Sequence, residues 1–94
     1  MMATRQLGDK GLSIFTFAAY HELSSGESVA EVVLKDGAGH AADPDGVREV
    51  QDLGLATVEN ERAVFTDSGL KFLADVIQHI RGTAKLASQT TAVA

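Results

Sequence analysis

The chain contains no cysteine. That excludes disulfides, a thiolate metal site and a cysteine nucleophile, and it suits a reducing compartment. There is one proline and there are nine glycines in 94 residues, which argues against a low-complexity chain over most of the length. No stretch approaches the roughly 20 apolar residues of a membrane span. Basic residues are outnumbered, 8 against 13 acids, for a formal net charge of -5. This balance disfavours a non-specific nucleic-acid coat and a polybasic membrane patch, although it leaves room for a local basic face. Signatures of catalysis are missing as well: there is no HExxH, GxSxG, P-loop or GxGxxG. Neither an enzyme nor a cofactor is expected.

What is present fits one small domain. Leu12 to Tyr20 is apolar enough for a short signal h-region, but His21-Glu22-Leu23 follows where a small-residue cleavage site would stand. The expectation is a buried first helix in a cytoplasmic protein. Phe15, Ala19 and Leu23 follow helical spacing, Leu12 and Tyr20 widen the stripe, Ser13 suits the N-cap and Ser24-Ser25-Gly26 ends the run.

Ser28-Val29-Ala30-Glu31 has the form of a capping box. It predicts a short second helix to about Lys35, closed by Asp36-Gly37. Val29, Val32 and Val33 would also suit a strand; the cap at the start favours the helix. After a glycine- and alanine-rich turn, Asp43 caps and Pro44 opens a third helix with Val47, Val50 and Leu53 inward and Gly54 as its stop. Leu55 to Val58 and Arg62 to Phe65 read as two strands joined through Asn60, which tolerates a positive φ. Thr66 caps a last helix through Arg81, and Gly82 ends it. Residues 1–11 are then a lead-in, 12–82 the domain and 83–94 a flexible tail. His40, Asp43 and Asp45 lack the third acid and distal glutamate of a calcium loop, so capping explains them better and no metal site is expected.

Val47-x-x-Val50-x-x-Leu53-Gly54-Leu55, a short ribbon, then Phe65-Thr66-Asp67-Ser68-Gly69 and Leu73 resembles the core of MarR- and PadR-like winged-helix regulators. The resemblance spans about Val29 to Leu73. It implies an α+β, mainly α fold: a three-helix helix-turn-helix core, a two-stranded wing and a C-terminal helix. Gly69 would let the last helix pass close to the ribbon. The helix after Asp43 would be the recognition helix, and residues 56–64 the wing. The function implied is transcription regulation by operator binding, with Arg48 and Gln51 reading bases and Arg62 reaching a minor groove or phosphate. Arg5, Lys10 and Lys35 would sit at the periphery.

The sequence departs from that pattern in charge. Asp45, Glu49 and Asp52 join Arg48 and Gln51 on the expected outer face, and Glu59 and Glu61 flank the hairpin tip. Phosphates would meet a net negative surface. A winged helix that docks a basic protein partner is therefore the alternative. In the last helix, Leu70, Leu73, Ile77 and Ile80 form one apolar seam, and Phe72, Val76 and His79 form a second. One seam serves the chain's own core. The other, with Phe17 of the first helix, is expected to form a homodimer interface.

Overall fold

A computed structural model describes residues 7–35 and 41–93, with the backbone alone at 85 and 87–93. Arg5 and most of the lead-in lie outside the described residues, as do residues 36–40 of the glycine-rich turn with its His40. The order is α1 (Asp9–Ser25), β1 (Glu31–Val33), α2 (Pro44–Asp52), β2 (Ala56–Glu59), β3 (Arg62–Phe65) and α3 (Asp67–Val93). The class is α+β, mainly α: three helices and an antiparallel three-stranded sheet ordered β1-β3-β2. None of the helices is long and apolar enough, over the described residues, to cross a membrane.

Two elements start or stop where local signals place them. Asp43 accepts a hydrogen bond from the Asp45 N–H at 2.8 Å, with Pro44 in the first turn. Gly54 takes φ 74° just past α2, and the hairpin turns on Asn60 and Glu61, both left-handed at φ 51° and 61°. Two positive φ values in a two-residue loop match the twist of the flanking strands. A glutamate there carries strain of about 1–2 kcal/mol that glycine would not.

The segment predicted as a second helix is instead a strand. Val32 pairs with Ala63 and Glu31 with Val64, so β1 completes the sheet along β3. A helix of one or two turns nucleates poorly. The valine-rich stretch finds more backbone partners on the open edge of β3: the Phe65 N–H donates to the Ala30 carbonyl at 3.0 Å, and the Leu34 N–H to the Glu61 carbonyl at 2.9 Å. The first helix of the expected helix-turn-helix pair is thereby replaced by a strand.

Both long helices also exceed their predicted bounds. α1 begins at Asp9, with Gly8 as a cap that has no side chain, and Ser13 lies inside the helix, its hydroxyl donating to the Lys10 carbonyl at 2.6 Å. α3 runs through Gly82 to Val93, where a stop and a flexible tail were expected. An isolated glycine inside a helix lowers its stability without ending it unless the backbone turns left-handed.

The core gathers on one side of the sheet. Ile14, Phe15, Ala18 and Ala19 of α1, Val50 of α2, Ala56, Ala63 and Phe65 of the hairpin, and Leu73 and Ile77 of α3 are buried. Leu12, Tyr20 and Leu23, expected within the buried stripe, are exposed at 37%, 65% and 40%. Phe15 and Ala19 of that stripe are buried as expected, and the buried face is completed by Ile14 and Ala18 instead.

Candidate protein-docking groove

α2 lies beside the hairpin, and an open groove of about 730 Å3 runs between them. Its apolar wall comes from Leu34, Ala42, Pro44, Val47 and Val58. Val58 is opposite Ala63 in the ladder, so it faces the helix side of the sheet. It lies past the edge of the core and stays 39% exposed. Arg48 and Gln51 line the helix side of the groove, Glu61 the hairpin side and Lys35 the part just past β1, so its charged lining is two bases and one acid.

The expected DNA readers do not converge. Arg48 and Gln51 share this groove. Arg62 is one residue from Ala63 on β3, hence on the opposite face of the sheet, where its guanidinium meets Glu31 of β1 at 3.3 Å. Arg48 is likewise held by an acid of the same chain, Asp45, at 3.1 Å. Lys10 bridges α1 to α2, reaching Asp45 at 3.3 Å and Asp43 at 3.6 Å.

Glu49, expected on the outer face, turns to α1. One carboxylate oxygen accepts from the Gly11 N–H at 3.1 Å. It supplies, from another helix, the capping oxygen that Gly8 cannot. The helices cross closely here, since a Cβ on Gly46 would stand 2.4 Å from the Lys10 carbonyl oxygen. With Glu49 withdrawn, the exposed acids of this region are Asp45, Asp52, Glu59 and Glu61.

These ion pairs set the local titration. The hydrogen bond and charge of Lys10, reinforced by Arg48, hold the Asp45 carboxyl below its ordinary 3.8. Asp45, followed by Asp43, raises the Lys10 ammonium above 10.5. Asp45 thus contributes stability above its unfolded pKa, lost as pH falls through its lower folded value; Lys10 contributes below 10.5, lost as pH rises through its higher one. An NMR carboxyl titration is expected to place the Asp45 midpoint below 3.8 and to move it upward in Lys10→Ala and in high salt. A midpoint unchanged by Lys10→Ala would refute the pairing. Both groups are exposed, so the stability effect is small.

The residues proposed for dimer contact also separate. Phe72 and Val76 are half-buried against the chain's own core, the Phe72 ring meeting Phe15 edge-on at 4.7 Å. His79 is exposed. The contributions that sequence reasoning missed are Leu34 and Val58, two of the apolar members of the groove. Alternation along Ala56-Thr57-Val58-Glu59 marks Val58 as sharing a face with Ala56, and that was the available signal. Among the described residues no cluster of three or more His, Asp or Glu side chains is placed to hold a metal ion. No known protein family matches the chain, and neither does any curated protein or solved structure.

Proposed function

We propose that the chain is a protein-docking module on a winged-helix-like frame, and that the groove between α2 and the hairpin receives a basic, amphipathic segment. The observation that carries this reading is an open apolar groove beside a segment whose charges are mostly acidic. Leu34, Val47 and Val58 give an anchor residue somewhere to bury, with Glu61, Arg48 and Lys35 also lining the groove. Residues 43–62 carry six acids and two bases, and both bases are already held by acids of the chain. A lysine- or arginine-rich partner gains from that field and a phosphate backbone loses.

The test is a fluorescence titration of the dilute protein with a basic amphipathic peptide, an acidic peptide of the same apolar pattern and a DNA duplex, at low and moderate salt. The basic peptide alone is expected to bind, and Val58→Asp or Glu61→Lys to weaken it. Failure of the basic peptide to bind at low salt would overturn the reading.

A second reading, a dimeric operator-binding regulator, draws on Arg48 and Gln51 lying along the same groove edge. In that case the duplex binds at low salt, affinity falls steeply with salt and Arg48→Ala weakens it.

A further inference from the structure

β1 is the outermost strand on its side of the sheet, in the order β1-β3-β2. Its even-numbered neighbourhood faces β3: the Ala30 carbonyl accepts the Phe65 N–H, the Leu34 N–H donates to the Glu61 carbonyl, and Val32 stands opposite Ala63 between them. In an antiparallel ladder the alternate residues turn their N–H and C=O groups the other way. Glu31 and Val33 therefore present their backbone donors and acceptors along the outer edge, and among the described residues no strand pairs with them. The open edge ends at Leu34, whose carbonyl takes the Ala42 N–H at 2.7 Å.

Two open hollows follow this edge, one of about 680 Å3 and one of about 320 Å3. Both are lined by Val32 and Val33, whose side chains leave opposite faces of the sheet, so the space they share runs along the edge of the strand. The larger is walled by α1 through Leu12, Thr16, Phe17 and Tyr20, and Tyr20 is 65% exposed. Its charged lining is Asp9 and Asp43. Lys10 reaches Asp43 at 3.6 Å, and among the described residues no cation of the chain pairs with Asp9. The smaller hollow adds His21, together with Glu31 and Arg62, which hold each other at 3.3 Å.

We propose that this edge binds an extended peptide segment of another protein, added antiparallel to β1 as a fourth strand. The site is separate from the groove between α2 and the hairpin and does not rest on it. Residues of the segment opposite Glu31 and Val33 exchange N–H···O bonds with them. The residue between, opposite Val32, sends its side chain to the helix side of the sheet, into the larger hollow against Leu12, Phe17 and Tyr20, so it is apolar. The antiparallel direction puts the amino-terminal end of the segment beside Asp9 and Asp43, where a lysine or arginine meets Asp9. A second copy of the chain does not fit this pairing. In the two-fold register that sets Glu31 of one chain opposite Val33 of the other, Ala30 falls opposite a Leu34 whose carbonyl is already taken by Ala42. A loose peptide bends away at that point, whereas a folded copy meets the obstruction at both ends.

Fluorescence anisotropy of a labelled peptide containing Lys-Thr-Phe-Thr, titrated with the full chain, decides the matter. In the expected register the two threonines lie opposite Val33 and Glu31, and the phenylalanine opposite Val32. N-methylation of either threonine removes a donor that faces β1 and weakens binding by roughly tenfold. N-methylation of the phenylalanine, whose N–H faces away from β1, leaves binding nearly unchanged. Val33→Pro removes the outward N–H of the edge without breaking a bond to β3, and weakens binding by a similar factor. Asp9→Lys weakens the lysine peptide and favours its glutamate counterpart. Val58→Asp, in the other groove, has no effect on this peptide, so failure of that groove and failure of this site are separately visible. Should Val33→Pro lower the unfolding midpoint, the methylated peptides still test the pairing on the unaltered chain. No binding at several hundred micromolar would overturn the inference, as would equal losses from all three methylations or a loss on Val58→Asp.

Discussion

Phe15→Ala is expected to lower stability by about 3–5 kcal/mol, the range for emptying a buried aromatic site. Phe15 is fully buried, and its ring touches two other elements. It stacks on Phe65 of β3 at 5.0 Å and meets Phe72 of α3 edge-on at 4.7 Å. Removing it takes away a side chain's apolar burial and two aromatic contacts, at the point where α1, the sheet and α3 converge. A small domain has roughly 5–15 kcal/mol to lose, so the variant sits near the edge of folding. Phe15→Leu retains most of the volume and is expected to lose less than half as much. Urea midpoints of the three proteins check the order, and an alanine variant within about 1 kcal/mol of the parent would contradict this account of the core.

Gly69→Ala is expected to destabilise by about 1–3 kcal/mol, even though alanine is the better helix former by nearly 1 kcal/mol. A Cβ at Gly69 would fall 1.9 Å from the Leu55 carbonyl oxygen, and a backbone atom cannot swing aside as a flexible side chain would. That carbonyl also accepts the Thr66 N–H at 3.0 Å. Thr66 in turn donates its hydroxyl to the Gly54 carbonyl at 2.7 Å and accepts the Gly69 N–H at 3.1 Å. Displacing Leu55 therefore disturbs the cap of α3 and its tie to the end of α2. Gly82, in the same helix, meets nothing within 4 Å of the position a Cβ would take. Gly82→Ala is expected to raise helix content and to leave the core unaffected. Thermal unfolding followed by circular dichroism reads both, and equal responses at the two glycines would sink the steric argument.

The elements read correctly from sequence are those whose signals are local. Asp43-Pro44, Asn60 and Thr66 each act on backbone groups within a few residues. The close approach at Gly69 follows from the order of ribbon and helix. The strand at Glu31–Val33 depends on an edge of β3 that exists only after the hairpin forms. A capping box with valines behind it cannot reveal that edge. The exposed flank of α1 was obscured because its apolar residues surround the helix, and only packing selects Ile14 and Ala18 over Leu12 and Tyr20. Gly82 has the residue type of a helix stop, but the chain stays helical through it and no left-handed turn forms there. The groove was half legible: Arg48, Gln51 and Glu61 stand out in the sequence, and Leu34 enters through the strand pairing that was missed.

The link from Glu49 to Gly11 bears on how the domain assembles. The first turn of α1 has no capping side chain of its own, and the one provided comes from a residue 38 positions later. Alone, the helix would fray at that end. Its amino-terminal amides thus become slow to exchange with solvent only once α2 has docked, and the Gly11 amide reports an event outside its own helix. In native-state hydrogen exchange, Gly11 should share the opening free energy of α2 and depart from that of residues later in α1. One carboxylate thereby ties the two helices into a single cooperative unit, with α1 acquiring its full length as a result of tertiary assembly.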